Sequence, residues 1–209
     1  PKGNRVSELR KSNQDQAKLK RLLAEIRACR ICAPALRHEP RPAIRASTTA
    51  RLIITGQAPG NRVHETGLSW NDRSGDRLRE WTGLVWGDFY DETKIALMSM
   101  GFCFPGTVKG ADLPPRKECA PLWHVRVRSM LPNLRLILLI GSYAVRHYLP
   151  HSAKLQVRDV LLKSDFKRAV YLPLVHPSPR NKLWLKQNPW FEADVVPKLK
   201  RRIRQIIPK

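Results

Sequence analysis

Two short loops and four thiols carry most of the chemistry legible in this chain. His176-Pro177-Ser178-Pro179-Arg180-Asn181 follows the apolar run Tyr-Leu-Pro-Leu-Val. An imidazole at the end of a strand, held between prolines, is placed to donate a hydrogen bond to an oxygen that gains negative charge. Gly56-Gln57-Ala58-Pro59-Gly60 follows Arg-Leu-Ile-Ile-Thr. Two glycines and a proline after a strand make a tight loop whose backbone can approach a ligand closely. Either loop alone is a common kind of turn; the pair, at the ends of the first and last strands, is far more specific. The cysteines are Cys29, Cys32, Cys103 and Cys119, spaced as C-x2-C, 70 residues, then C-x15-C. A set of four that opens with a CxxC points to a metal or an iron–sulfur cluster. Zinc sites more often pair two short-spaced couples, and a spacing of 15 suits zinc less.

The elements that must position these groups follow from periodicity. Apolar runs at Arg51–Thr55, Lys94–Met98, Arg135–Ile140 and Ala169–Val175 read as buried strands. Helical spacing covers Asn13 to the CxxC, Ser74–Gly83, Cys119–Leu131, Ser142–Leu149 and Pro189–Ile207. Ala33–Thr49, with three prolines, reads as loop. Strands alternating with helices predict an α/β fold, a three-layer αβα sandwich around a central four-stranded parallel sheet. Ligands of such sheets bind beyond the carboxyl ends of the strands, where both loops fall. Residues 1–13 are expected to be a flexible basic arm and 14–209 a single domain, an expected monomer.

Charge selects the partner class. Lys plus Arg is 39 against 17 Asp plus Glu, a formal net charge of +22. Cations distributed along the whole chain suit the displacement of counterions from nucleic-acid phosphates. A membrane-surface binder would concentrate them on one amphipathic helix. No apolar run approaches the roughly 18 residues of a spanning helix. The first residues carry no apolar segment of a secretion signal, so a cytoplasmic location is expected.

The two loops together resemble motif A and motif B of the uracil-DNA glycosylase superfamily. The cysteine pattern is similar to that of its family 4 members, which hold a [4Fe-4S] cluster. GFCFPG…LPPRKECAPLW, LRLILLIGSYAVRHYL and NPWFEADVVPKL extend the likeness over about residues 20–207. The resemblance implies a DNA-repair enzyme that flips a damaged, uracil-like base from DNA and hydrolyses its N-glycosidic bond. The alternative is a non-catalytic binder of damaged or single-stranded DNA on the same fold. The cysteines would hold the cluster, with zinc as the alternative ligand.

The departures shape the expected mechanism. Motif A of the family carries an acid, but Gln57 and Ala58 stand at its two acidic positions, and neither can bear a negative charge. The segment Thr66–Asp76, TGLSWNDRSGD, resembles family 5, which keeps its acid downstream; here that residue is Asp72, with Glu65 and His64 as lesser candidates. Trp70 falls where the family places an aromatic against the extruded base. Met98 falls at the place of the family's uracil-reading Asn, with Ser99 beside it as a substitute. The resemblance thus implies Asp72, His176 and Gln57 as catalytic residues. Gly56, Ala58, Pro59, Gly60, Trp70, Met98, Ser99 and Asn181 would surround the base. Ser178, Arg180 and Lys186 would meet phosphates. Leu183, then Trp184, would be the wedge that fills the vacated stack.

Overall fold

The computed structural model describes residues 2–207. The chain begins with helix α1 (Lys2–Arg27). It therefore starts before Asn13, and the segment read as a flexible arm is helical from Lys2. Leu19, Leu22, Leu23 and Ile26 form its buried stripe, at the 3–4 spacing of one helix face. Strands β1 (Ile44–Arg45) and β2 (Leu52–Thr55) follow, then helices α2 (Asn61–Thr66), α3 (Arg73–Thr82) and α4 (Trp86–Tyr90). Next come β3 (Ile95–Met98), the short strands β4 (Thr107–Val108) and β5 (Ala111–Asp112), and α5 (Cys119–Arg128). The chain continues through β6 (Leu136–Ile140), α6 (Ser142–Tyr148), α7 (Val157–Leu162) and β7 (Tyr171–Leu174). It closes with α8 (Lys182–Gln187), a π-helical turn at Phe191–Val195, and α9 (Val196–Ile206).

The main sheet has five strands in the order β1-β3-β2-β6-β7. The four strands expected from the sequence are parallel, whereas β1 is an antiparallel edge strand that pairs Ile44 with Met98 and Arg45 with Leu97. Two residues inside a proline-rich segment are too short to show a strand's alternation, so the expected count was one strand low.

Side-chain alternation splits the core into two layers. Leu52, Ile54, Leu97, Leu138 and Leu174 pack toward α3 and α9, with Leu78, Trp81, Leu199 and Ile203. Ile53, Ala96, Met98, Ile137 and Leu139 pack toward α1, α5 and α6, with Leu22, Ile26, Trp123 and Val145. Every residue of β2, β3 and β6 is buried, as strands covered on both faces must be. In this register Thr55 lies opposite Leu139, and Ile140 opposite Leu174. The loops that begin at Gly56, Ser99, Gly141 and Val175 therefore leave along one edge of the sheet.

Candidate functional site

A cleft of about 370 Å³ opens at that edge. It is lined by Gly56, Gln57, Ala58 and Gly60 after β2, by Ser69, Trp70, Asp72 and Ser74 around the start of α3, and by Ser99 after β3. Asp112 of β5 and His176, Ser178, Arg180 and Asn181 after β7 complete it. The two loops singled out in the sequence meet in one space.

His176 is the best-defined donor. Its Nδ1 accepts a hydrogen bond from the Ser178 backbone N–H at 3.2 Å. A nitrogen that accepts carries no proton, so Nε2 bears the hydrogen and is the donor left to the imidazole. Burial lowers the imidazole's proton affinity, against the opposing pull of the Asp72 carboxylate, and so favours the neutral ring. The Asn181 side chain donates to the His176 carbonyl at 2.7 Å, fixing the loop from behind. Asn181 thus holds the histidine while also lining the cleft.

Asp72 is the N-cap of α3, with Oδ1 accepting from the Gly75 N–H at 2.8 Å. The cap fixes the carboxylate at a helix N-terminus, where backbone N–H groups favour negative charge. The turn before it is tight. Trp70 has φ 60°, a left-handed conformation that bulky residues rarely adopt. A Cβ at Gly75 would stand 1.7 Å from the Trp70 carbonyl oxygen, so this turn requires glycine there. A Cβ at Gly56 would stand 2.7 Å from the Trp70 ring. The indole consequently lies directly on the backbone of the first loop, 5.8 Å from the His176 ring. Strain of this kind persists only where the surroundings over-determine it. Here Arg79 Nη1 donates to the Trp70 carbonyl at 3.1 Å, and Tyr90 Oη donates to the Ser69 carbonyl at 3.0 Å. Arg79 is itself clamped by Asp76 at 2.5 Å.

Several expected site residues lie elsewhere or do other work. Met98 is buried among the residues facing α1 and α5 and does not line the cleft; the next residue, Ser99, does. Side chains alternate along a strand, so neighbouring residues face opposite ways. Pro59 is buried behind its loop. Gln57 spends its side-chain amide on the Leu113 carbonyl at 3.0 Å, and Arg180 donates to the Gly110 carbonyl. Ser178 Oγ accepts from the Arg180 N–H at 3.2 Å and caps a turn. Trp184 is half-buried and packs on Trp190 and Phe191 at the border of the core. Leu183 is 65% exposed and Lys186 is exposed on α8. His64 packs against His38 and Phe104, and Glu65 accepts from Asn61, so neither supplies the cleft with an acid.

Sequence reasoning missed Asp112, Ser69, Ser74 and the positioning residue Arg79. It also missed His124, which is 1% exposed beneath the floor. Its ring joins the Ser99 carbonyl at 3.0 Å to the Tyr148 hydroxyl at 2.7 Å, and burial lowers its pKa to about 4.

The four cysteines line a second, separate cavity with Ile26, Ile31, Phe102, Leu122 and Trp123. All four are free thiols. Burial raises Cys119 to about 12 and Cys103 to about 11, and the nearby Cys32 and Cys29 add to both. The Phe102 N–H donates to Cys119 Sγ at 3.4 Å. Among the described residues no three His, Cys, Asp or Glu side chains converge on a single-ion position.

A mostly parallel sheet with helices on both faces, and a polar cleft at its carboxyl edge that pairs a neutral histidine with a carboxylate, defines an α/β protein built to act on a ligand at its strand ends. The chain matches the family model of the uracil DNA glycosylase superfamily over residues 44–200, and it belongs to that superfamily. The match spans both cleft loops and the whole main sheet. Among the described residues no helix is long and apolar enough to cross a membrane.

Proposed function

We propose that this protein is a monofunctional DNA glycosylase that releases a deaminated, uracil-like base and leaves an abasic site. The carrying observation is the single cleft in which a neutral His176, fixed as an Nε2–H donor, stands with the capped carboxylate of Asp72. Cleaving the N-glycosidic bond builds negative charge on the departing base and positive charge on the sugar. The Nε2–H of His176 stabilises the first, and Asp72 the second. The Gly56–Gly60 backbone and Trp70 shape the wall against which the flipped base rests. Leu183, exposed on a basic helix, fills the vacated stack, while Arg180 and Lys186 lie on the phosphate side. Met98 is turned away from the cleft, so base selection falls to groups at the Ser99 end of β3 and to backbone amides.

The four-cysteine cavity supports a [4Fe-4S] cluster over zinc, because four half-buried thiols lining one cavity suit a polynuclear group better than a point ion. Iron charge would hold the thiols as thiolates, offsetting the burial that raises Cys32, Cys103 and Cys119 in its absence. Cys29 and Cys32 follow α1, and Cys119 begins α5. Such a cluster therefore ties the N-terminal helix to the middle of the chain; the base-releasing step uses only cleft residues.

The test is base release from oligonucleotides carrying uracil, hypoxanthine, xanthine or hydroxymethyluracil, single- and double-stranded. Release of at least one base, leaving an alkali-labile site, is expected from the wild type and lost in Asp72→Asn and His176→Ala. Tight binding of damaged DNA with no release from any substrate would instead establish a damage-binding protein on this fold.

A further inference from the structure

Asp112 stands in the cleft without any role assigned by the two motif loops. It ends the hairpin β4–β5, whose Lys109 and Gly110 both have positive φ, as a two-residue type I′ turn requires. That turn fixes the register, setting Thr107 opposite Asp112. Both motif loops hold the hairpin over the cleft: Gln57 through the Leu113 carbonyl, Arg180 through the Gly110 carbonyl. Two side chains expected to touch substrate thus serve to hold this arm.

Asp112 Oδ2 sits beside the first loop, 3.8 Å from where a Cβ on Gly60 would stand. The two carboxylates of the cleft differ in their surroundings. Asp72 has one oxygen committed to the Gly75 N–H, which fixes its orientation. Among the described residues none donates a hydrogen bond to the Asp112 side chain, which makes it the acceptor open to a water. Asp112 is exposed at the mouth of the cleft; the partial desolvation there raises its proton affinity, the Arg180 cation opposes this, and Asp72 adds to it.

We propose that Asp112 is a second catalytic carboxylate, the base that takes the proton of the attacking water while Asp72 stabilises the sugar cation. This rests on the glycosylase reading above. The C1′–N bond breaks and its electron pair leaves with the base, which His176 stabilises. The water oxygen forms the new bond to C1′, and its proton passes to Asp112. A carboxylate of raised proton affinity suits that transfer better than a capping one. It also accounts for a motif A without an acid: the second charge arrives from the hairpin rather than from the loop beneath it.

The experiment is single-turnover release across pH 5–9 by the wild type, Asp112→Asn, Asp112→Glu and Arg180→Ala, with affinity for abasic-site DNA measured in parallel. Asp112→Asn is expected to slow release about 100-fold, to keep abasic-DNA affinity within a few-fold, and to remove the acid limb of the wild-type pH profile. Asp112→Glu should restore part of the rate and the limb. Arg180→Ala, which loosens the hairpin and keeps the acid, should slow release less and keep the limb. An Asp112→Asn enzyme with the wild-type rate and profile overturns this proposal and leaves the glycosylase reading standing. A parallel loss of DNA affinity also overturns it, making Asp112 a binding residue. A wild type that releases nothing overturns both.

Discussion

The cleft at the sheet edge and the cysteine cavity are built on opposite principles. The cleft is polar and open, and its parts come from the ends of β2, β3 and β7, the α3 cap and the hairpin. Each of its key groups is held by a named hydrogen bond: Ser178 on His176, Gly75 on Asp72, Arg79 on the Trp70 turn. The cysteine cavity is walled by apolar side chains together with the Arg116–Glu118 ion pair, and it gathers chain segments that are far apart in sequence. Its thiols contribute no group to the cleft. One region is preorganised by the fold; the other, on the proposal above, organises the fold. Damage to each should therefore fail differently.

The largest separation of the two comes from the cysteines. Cys103→Ser or Cys119→Ser should abolish bound iron and the brown visible absorption of the purified protein and lower its unfolding midpoint. Whatever fraction stays folded should release base within a few-fold of the wild-type rate. Protein that is colourless and iron-free as wild type would break the comparison from that side.

In the cleft the effect should fall on rate alone. His176→Ala is expected to lower single-turnover release by about 100- to 1,000-fold, the cost of removing one preorganised donor. Its thermal unfolding should stay close to that of the wild type. Asp72→Asn keeps an N-cap of equal quality, so a large rate loss there isolates the charge from the cap. Equal losses of rate and stability in either variant would erase the distinction.

Beneath the cleft, His124 joins the two concerns. Its pKa is about 4 when folded, against an ordinary value of 6.5. Above pH 6.5 neither state holds the extra proton, and the neutral, hydrogen-bonded ring contributes fully. As pH falls from 6.5 toward 4 the unfolded chain is protonated first, so stability drops by on the order of 3 kcal/mol. Denaturant unfolding at pH 7 and pH 4.5 measures this drop, and His124→Gln should flatten it.

The smallest effect is at the DNA surface. Leu183→Ala, at an exposed position with little packing to lose, should cost several-fold on duplex substrates and almost nothing on single strands.

Much of this architecture was legible in the chain. Four strands and the helices beside them were marked by buried apolar runs and by 3–4 spacing, as in Leu19, Leu22, Leu23 and Ile26. The residues that came together in the cleft were those with a chemical reason to sit at a strand end: His176, Gly56, Asp72. What escaped detection was short or depended on direction. β1 has two residues, and the hairpin that brings Asp112 announces itself only by Lys109-Gly110. Met98 was placed by the family resemblance, at the position of the uracil-reading Asn, yet side-chain alternation turns it into the core and leaves Ser99 at the cleft. Trp184 reads as a wedge in a basic loop, and only three-dimensional packing on Phe191 shows that it sits half-buried against the core. Arg79 looked like one more cation among 39 until its carbonyl and carboxylate partners appeared.

The central claim is that the cleft meets the departing base with a neutral imidazole donating from Nε2. Nitrogen-15 NMR of the histidine rings, in the free protein and with abasic-site DNA at pH 7, observes this directly. The account predicts that His176 carries one proton, on Nε2, with Nδ1 unprotonated and hydrogen-bonded in both states. A doubly protonated ring, or a proton on Nδ1, would contradict it.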